Sequence, residues 1–229
     1  MKTLADRIIN FNSNVRFDGT LPDRISIMNP FLENPKALDA SSKFYLKFYK
    51  DNNPRKLILG INPGRLGAGV TGVPFTDTKR LKDPCGITFD LAHSHEPSSV
   101  FIYDVIDKMG GPQAFYNQFY INSVCPLGFL IEKENGKKVN YNYYDSKALT
   151  EAVKDFIIEN IKTQIDLGMD ARTCFVLGNN KNFKYVEKLN KEEHFFEQVV
   201  PLAHPRYVMQ YKSKFKEDFI ADYINKLTR

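Results

Sequence analysis

Three side chains that could take part in hydrolysis stand where apolar segments of this sequence end. Asn62 follows the apolar run of residues 56–61, Ser123 lies late in a second run, and His204 follows a third. An amide can orient a water molecule without titrating, and an imidazole can donate a hydrogen bond or carry a charge near neutral pH. Hydrolysis of an N-glycosidic bond needs these abilities, because water adds to a cation-like sugar while the departing base leaves as an anion.

The turn that follows the first apolar run is rich in glycine. Its glycines are Gly64, Gly67, Gly69 and Gly72. Glycine lets the backbone approach a flat or anionic ligand closely, although the spacing matches neither a P-loop nor the dinucleotide-binding fingerprint. Phe75 then supplies an aromatic face, which beside free backbone amides suits a nucleobase or a similar heterocycle. Phe75 as an ordinary core residue is the alternative interpretation.

These side chains need a scaffold that brings distant segments together, and the order of the apolar segments predicts one. Strands are predicted at residues 56–61, 119–125, 173–177 and 197–202. Helices are predicted at residues 4–13, 41–50, 97–109, 145–168, 180–191 and 213–227. Their alternation predicts an α/β fold with three α/β/α layers around a central four-stranded parallel sheet. Ligands of such sheets bind beyond the carboxyl ends of the strands, where Asn62, Ser123 and His204 would lie.

Length and composition fit one globular domain over residues 1–229. Hydrophobic residues make up 42% of the chain and charged residues 26%, which excludes a disordered chain. The apolar runs fall far short of the roughly 20 residues of a membrane span, and the early charges on Lys2 and Asp6 are unlike a signal peptide. We therefore expect a monomeric, cytoplasmic protein, associated with the nucleoid if bacterial. A net charge of +5 leans mildly toward a polyanionic partner.

The cysteines and histidines do not predict a metal site. Cys85, Cys125 and Cys174 lie far apart without a Cys-x-x-Cys motif. The pair His93 and His95 offers two ligands without a third, so we interpret it as part of a solvated loop. The whole loop of residues 76–95 is interpreted as surface. No metal and no cofactor are expected.

Three segments resemble motifs of the uracil-DNA glycosylase superfamily, most closely its single-strand-selective monofunctional members. The first is Gly-Ile-Asn-Pro-Gly at residues 60–64, continued by Thr-Gly-Val-Pro-Phe at residues 71–75. Cys-Pro-Leu at residues 125–127 and His-Pro-Arg at residues 204–206 follow in the family's order. The resemblance implies a DNA repair glycosylase, with DNA as its partner. Such an enzyme flips a deaminated base out of DNA and hydrolyses its N-glycosidic bond, leaving an abasic site.

The resemblance also implies a role for each motif residue. Asn62 would hold the attacking water, and His204 would stabilise the uracil anion at O2. Phe75 would stack on the flipped base, with Ile61 and Gly64 lining the pocket. Gly64 falls where stricter relatives carry a tyrosine, so the pocket is expected to admit 5-substituted uracil. Further DNA contacts, including a wedge that enters the duplex, are implied for Pro63, Pro205, Arg206, Tyr207, Met209 and Lys212.

The sequence departs from the family pattern at two places. Ser123 stands where these relatives carry the asparagine that reads the edge of uracil. Asn122, one residue earlier, is included with it as a predicted contact of the base, although strand alternation would point its side chain to the other face. A serine hydroxyl is shorter and can both donate and accept, so some activity on xanthine or hypoxanthine is expected. The loop after His204 is also shorter than usual, which leaves Tyr207 or Met209 as the wedge instead of Arg206.

Two other functions remain open from the sequence. The chain could be a nucleic-acid-binding module that kept the fold without catalysis, although the Asn62 and His204 pair is intact. It could also be a thiol hydrolase that uses Cys125 and His204. Pro126 directly after the cysteine leaves no helix N-terminus there to activate the thiol, which disfavours this second alternative.

Overall fold

The computed structural model describes residues 2–229, which form a mixed α/β structure. The strands are β1 (Ile25–Met28), β2 (Arg55–Gly60), β3 (Phe119–Ser123), β4 (Gly128–Glu132), β5 (Lys138–Tyr141), β6 (Met169–Leu177) and β7 (Gln198–Leu202). The helices are α1 (Leu4–Asn14), α2 (Pro30–Glu33), α3 (Pro35–Phe48), α4 (Ala68–Thr71), α5 (Thr78–Lys82), α6 (Pro97–Lys108), α7 (Gly111–Tyr116), α8 (Lys147–Ala152), α9 (Lys154–Asp166), α10 (Lys181–Glu193), α11 (Pro205–Tyr211) and α12 (Lys216–Leu227). A 3₁₀ turn at Ser213–Phe215 joins the last two helices.

The core of the structure is a parallel sheet, as the sequence predicts. Within residues 2–229 this sheet has four strands in the order β3-β2-β6-β7, all parallel. Leu57, Ile58 and Leu59 in the central strand β2 are buried, which explains why the strand is a continuous apolar run. The predicted fold class is confirmed, and β6 extends further back than predicted, to Met169.

The ends of β2 and β3 are fixed side by side. Gly60 pairs with Ser123 at the end of the ladder, and hydrogen bonds continue past it. The Val124 amide donates to the Gly60 carbonyl at 3.0 Å, and the Cys125 amide donates to the Ile61 carbonyl at 3.1 Å. The residues that follow both strands therefore begin from a common edge.

Helices cover the sheet and tie its carboxyl edge together. α9 and α10 contact β6, and α7 contacts β3. α6 packs against both α11 and α12, which brings the chain after β7 next to the segment that follows residue 96. None of the helices in the described part of the chain is long and apolar enough to cross a membrane.

The structure contains a second sheet, which the sequence did not predict. β1, β4 and β5 form an antiparallel sheet in the order β1-β4-β5. Gly128 lets this sheet approach the first motif, because a Cβ there would lie 2.7 Å from the Pro63 carbonyl oxygen and 2.5 Å from the Met28 methyl carbon. The sheet thereby brings residues 140–144 to the edge of the parallel sheet.

Three predicted helices differ in the structure. The helix expected at residues 41–50 begins earlier and forms α3 from Pro35 to Phe48, with Pro35 as its first residue. The helix expected at residues 145–168 is broken at Val153, whose φ of −105° and ψ of 5° are not helical, and it forms α8 and α9. The helix expected at residues 213–227 begins only at Lys216. The segment after His204, interpreted as a loop, forms α11, with Pro205 as its first residue. Proline is favoured at that position because the first helical amide needs no intrahelical acceptor.

Candidate active site

A cavity of about 710 Å³ opens at the carboxyl edge of the parallel sheet. Each strand brings a residue to its wall: Ile61 after β2, Ser123 at the end of β3, Gly178 after β6 and His204 after β7. This is the place where open parallel sheets bind ligands. The volume falls within the range of small-molecule binding sites.

Asn62 lines this cavity with its carboxamide in one fixed orientation. Its Nδ2 donates to the Tyr141 carbonyl at 3.2 Å and lies 3.4 Å from the Pro63 carbonyl, and its Oδ1 accepts from the Tyr143 amide at 3.1 Å. The two amide hydrogens are therefore directed at backbone oxygens. The carboxamide retains one lone pair on Oδ1, so it can accept a hydrogen bond from a water molecule.

His204 lines the same cavity as a neutral imidazole. Its Nδ1 accepts a hydrogen bond from the Arg206 amide at 3.1 Å, so Nε2 carries the proton and can donate to a ligand. Desolvation by the surrounding protein, and then the charge of Arg206, lower the pKa of His204 to about 4. The side chain is thus an uncharged hydrogen-bond donor at neutral pH.

Phe75 is held next to His204 by a strained backbone. The two ring centroids lie 6.1 Å apart with an interplanar angle of 58°. Phe75 has φ of +52°, a left-handed conformation that costs a residue with a side chain on the order of 1–3 kcal/mol. The ring also lies over Gly60, where a Cβ would approach Phe75 Cε2 to 3.0 Å. The glycine at the end of β2 therefore makes room for the aromatic wall of the cavity.

Ser123 and Asn122 face different sides of their strand. Ser123 lines the main cavity, whereas Asn122 borders a separate small hollow beneath it. The Asn122 side chain is occupied there, since its Nδ2 donates to the Tyr120 hydroxyl at 2.8 Å and its Oδ1 accepts from the Ser123 amide at 2.8 Å. The prediction that Asn122 contacts the bound base is corrected, because successive side chains of a strand alternate between its faces.

Part of the loop of residues 76–95, expected to be surface, is buried beside the cavity. Asp77 has no exposed surface, and its carboxylate accepts hydrogen bonds from the amides of Arg80 and Glu96 and from the Ser99 hydroxyl. Burial alone would raise the pKa of Asp77, but these hydrogen bonds outweigh it and hold the pKa below its usual range. The surface interpretation was therefore wrong for this segment.

Glu96 brings a second carboxyl group to the cavity wall. It packs against Gly67, where a Cβ would lie 2.0 Å from Glu96 Oε2. Among the residues that the structure describes, no group hydrogen-bonds to this oxygen. Burial, followed by the charge of Asp77, raises the pKa of Glu96 to about 7, and Arg206 acts in the opposite direction.

α11 forms the outer rim of the cavity. Arg206, Tyr207 and Tyr211 line it, and the two tyrosine rings lie 6.0 Å apart. Tyr207 is 43% exposed and Tyr211 is 67% exposed. Met209 is instead partly buried against the core, and Lys212 ends the helix in solvent without lining the cavity.

Comparison with known proteins identifies the family of this chain. The model of the uracil DNA glycosylase superfamily matches residues 46–228, which is most of the chain. The chain belongs to this superfamily. The crystal structure of wild-type SMUG2 from Pedobacter heparinus superposes with a TM-score of 0.97 at 53% identity, covering 100% of this chain and 98% of that chain. A search of curated proteins finds no match.

The first and last superfamily motifs meet at the cavity, as the sequence predicts for a parallel sheet, whereas Cys125, Pro126 and Leu127 of the second motif do not line it. Ile61, Asn62, Pro63 and Gly64 line it from the first motif, with Phe75 from its continuation. His204 and Arg206 line it from the last motif, while Pro205 is buried as the first residue of α11. Of the wedge candidates, Tyr207 is presented at the rim. Met209 is not, because its side chain packs inward.

Several cavity residues of this glycosylase-family chain lie outside the motifs. They are Glu96, Ser98, Asn140, Asn142, Tyr144, Asn179, Asn180, Lys181, Asn182, Gln210 and Tyr211. A turn was predicted at Gly178, and the residues after it could have been assigned to the site from their position after a parallel strand. The residues from β5 and the turn after it gave no such signal, because the antiparallel sheet was not predicted. Glu96 and Ser98 at the start of α6 gave none either, because the loop before them was interpreted as surface.

Other kinds of site find little support in the structure. Within residues 2–229, no three His, Cys, Asp or Glu side chains lie together as metal ligands would. Cys125 is fully buried, and this burial raises the pKa of its thiol to about 12. A thiol with that pKa supplies almost no thiolate at neutral pH, which argues against the thiol-hydrolase alternative.

Proposed function

We propose that this uracil-DNA glycosylase superfamily member is a monofunctional DNA repair enzyme. It flips a deaminated base out of DNA into the cavity and hydrolyses the N-glycosidic bond. Family membership supports the uracil-DNA glycosylase role at the coarse level. The observation that carries the proposal is the meeting of Asn62 and His204 at one cavity, one with a free acceptor and the other with a free donor.

The proposed reaction uses these two side chains in different ways. Asn62 Oδ1 accepts a hydrogen bond from water and holds its oxygen beside the sugar C1′. As the C1′–N bond breaks, the bonding electrons leave with the base, and the sugar becomes cation-like. His204 Nε2–H donates to the base oxygen that gains negative charge. The water oxygen then bonds to C1′, and its released proton balances the anionic base.

Phe75 would stack on the flipped base, and Ile61 and Gly64 would line its pocket through their backbones. Stacking on an aromatic ring and contacts to the base edges are general means of holding a flipped base. Pro63 and Arg206 at the rim, with Lys212 beyond it, would contact the DNA strand. The basic side chains of Arg206 and Lys212 would bind its phosphates without reading sequence.

The proposed substrates extend beyond uracil to 5-substituted uracil, xanthine and hypoxanthine. Ser123 offers a short hydroxyl where a longer amide would narrow the choice of base. Gly64 leaves open space, because a Cβ there would meet only Asn140 Nδ2, at 3.6 Å. A larger or substituted base can use the room beside these two residues.

A panel of oligonucleotides with one lesion each tests the function. Uracil, xanthine and hypoxanthine are placed in single strands and in duplexes, and abasic sites are measured by cleavage with alkali. The wild type is expected to release all three bases, with strand breaks appearing only after alkali. Asn62→Ala is expected to lose on the order of 10²-fold or more in single-turnover rate, because no side chain then positions the attacking water. Its Kd for lesion DNA is expected to stay the same.

Asn14→Ala on the exposed end of α1 serves as the matched control and should retain the wild-type rate. Release of uracil alone would refute the broad substrate range. A wild type that binds lesion DNA without releasing any base would instead support the alternative, a nucleic-acid-binding module of the same fold. Strand breaks without alkali would refute the monofunctional assignment.

A further inference from the structure

The carboxamide of Asn62 is hydrogen-bonded to the backbone of residues 141–143, a segment that lies outside the parallel sheet. Its contacts to the Tyr141 carbonyl and the Tyr143 amide resemble one rung of a β-ladder, with the side chain in place of a strand. Tyr141 is the last residue of β5 in the antiparallel sheet. The orientation of the amide therefore depends on how that segment is held against the end of β2.

A buried hydrogen bond fastens this segment to the parallel sheet. The Tyr143 hydroxyl donates to Asn182 Oδ1 at 2.7 Å, and the two residues are 0% and 1% exposed. Asn182 Nδ2 in turn donates to the Leu177 carbonyl at 2.9 Å and lies 3.4 Å from the Gly60 carbonyl. Two side chains thus connect the ends of β2 and β6 to the segment that holds Asn62.

We infer that Tyr143 and Asn182 are positioning residues for Asn62. The inference rests on the proposed function, in which Asn62 Oδ1 accepts a hydrogen bond from the attacking water. Both amide hydrogens of Asn62 are directed at backbone oxygens, so the orientation fixed by residues 141–143 presents an acceptor to the cavity. If the segment shifts, the amide can rotate and present its NH₂ group, which cannot accept from water.

The hydrogen bond between Tyr143 and Asn182 does not depend on pH over the working range. Burial raises the pKa of the Tyr143 hydroxyl well above its ordinary value, so the group remains a donor throughout the working pH range. Asn182 does not titrate. A donor removed from this pair leaves a buried amide oxygen without a partner, which is unfavourable in an apolar surrounding.

Tyr143→Phe tests the inference because it removes one oxygen atom and keeps the ring. We expect the single-turnover rate on uracil in DNA to fall about tenfold, while the Kd for the same DNA is unchanged. Tyr185→Phe is the matched control. Its ring lies 4.9 Å from that of Tyr143, and its buried hydroxyl has no hydrogen-bond partner in the part of the chain that the structure describes. The control is expected to keep the wild-type rate.

A double-mutant cycle separates positioning from a general structural effect. Tyr143→Phe is introduced into the Asn62→Ala variant, whose residual rate is followed over long incubation. Because the tyrosine acts through Asn62, we expect it to have no further effect there. A wild-type rate in Tyr143→Phe would overturn the inference. An equal loss in both backgrounds, or an equal loss in Tyr185→Phe, would also overturn it.

A readout that needs no turnover distinguishes this inference from the proposed function. The side-chain amide resonances of Asn62 report its hydrogen bonds directly by ¹⁵N NMR. We expect them to shift in Tyr143→Phe and to stay in place in Tyr185→Phe. If the wild type releases no base, the proposed function fails while this measurement still decides the positioning. Unchanged Asn62 resonances in Tyr143→Phe would overturn the positioning.

Discussion

The side chains proposed for the chemistry are uncharged at neutral pH. Asn62 does not titrate, and His204 is neutral because the Arg206 amide occupies its Nδ1 and the surroundings disfavour a second proton. A neutral donor can stabilise an anion that forms during the reaction without attracting anions beforehand. The neutral side chains therefore complement the charge that develops in the transition state, and not a charge of the free ligand.

This view of His204 predicts an unusual pH dependence. Its imidazole is expected to titrate near pH 4, the value to which desolvation lowers the pKa, whereas an ordinary histidine titrates near pH 6.5. The single-turnover rate should therefore show no inflection near pH 6.5 from this residue. NMR titration of the His204 ring measures the pKa directly, and the pH–rate profile supplies the kinetic readout.

The urea-unfolded chain provides the reference for that titration, because the same imidazole should there titrate near pH 6.5. His204→Gln is expected to slow the reaction and to leave the shape of the profile above pH 5 unchanged. An inflection near neutrality that disappears in His204→Gln would contradict a neutral imidazole.

At the scale of the elements, α11 differs most from what the sequence suggested. The resemblance implied a wedge loop after His204, but Pro205 starts a helix whose N-cap is His204 itself. Histidine is not among the favoured N-cap residues, so the start of this helix gave no usual signal. The helix turns Val208 and Met209 inward and leaves Tyr207 and Tyr211 at the cavity mouth.

The parallel sheet could be predicted because β2 and β3 are buried over nearly their whole length and β6 is buried over residues 174–177, so each contains a continuous apolar run. β5 could not, since its residues alternate between exposed and partly buried positions and, among the strands of residues 2–229, it pairs with β4 alone. The buried Asp77 was missed for a related reason. Two of its partners, Glu96 and Ser99, lie about 20 residues away, so no local pattern distinguishes it from a solvated aspartate.

The exposed tyrosine at the end of α11 supports a prediction about DNA binding. Tyr211 lies at the cavity mouth beside Tyr207 and is followed by the exposed Lys212, a combination that suits stacking on a base while phosphate is held nearby. Tyr211→Ala is expected to raise the Kd for a single-stranded uracil oligonucleotide about 5- to 150-fold, which corresponds to the roughly 1–3 kcal/mol found for stacking of one base. Fluorescence anisotropy measures this change.

Tyr211→Phe keeps the ring and is expected to bind like the wild type. At saturating enzyme, the single-turnover rate of Tyr211→Ala should equal that of the wild type, because the residue is expected to hold the strand and not the reacting base. Equal weakening in the phenylalanine and alanine variants would show that the hydroxyl, and not stacking, makes the contact.

At the scale of the whole molecule, two neighbouring carboxyl groups beside the cavity have pKa values shifted in opposite directions, that of Asp77 downward and that of Glu96 upward. The Asp77 carboxylate stays ionised and organises the starts of α5 and α6, while Glu96 next to it lacks a partner for Oε2. Arg206 faces Glu96 from α11 and favours its ionised form. The exposed His95 lies 3.5 Å from Asp77. Ionisation of Glu96 therefore adds a negative charge where the starts of α5 and α6 meet α11.

The raised pKa of Glu96 predicts how folding depends on pH. The folded protein keeps this proton up to about pH 7, whereas an unfolded glutamate loses it near its ordinary value of 4.5. Between these values the folded state binds more protons than the unfolded state, so its stability falls as pH rises and then levels off above pH 7. Below pH 4.5 both states are protonated, and the contribution of this group is fully present.

Glu96→Gln removes the titration and keeps the shape of the side chain, so it isolates this contribution. Relative to the wild type, the variant is expected to gain stability steadily as pH rises from 4.5 to 7, while the difference is constant outside that window. Each kcal/mol of difference corresponds to roughly 2–4 °C in Tm for a chain of this size. Thermal unfolding of both proteins at several pH values measures it, with Glu134→Gln on the exposed turn between β4 and β5 as the control. A Tm difference between Glu96→Gln and the wild type that does not change with pH would show that Glu96 ionises as it does in water, and the desolvation of this wall would then be too weak to keep a carboxyl group protonated.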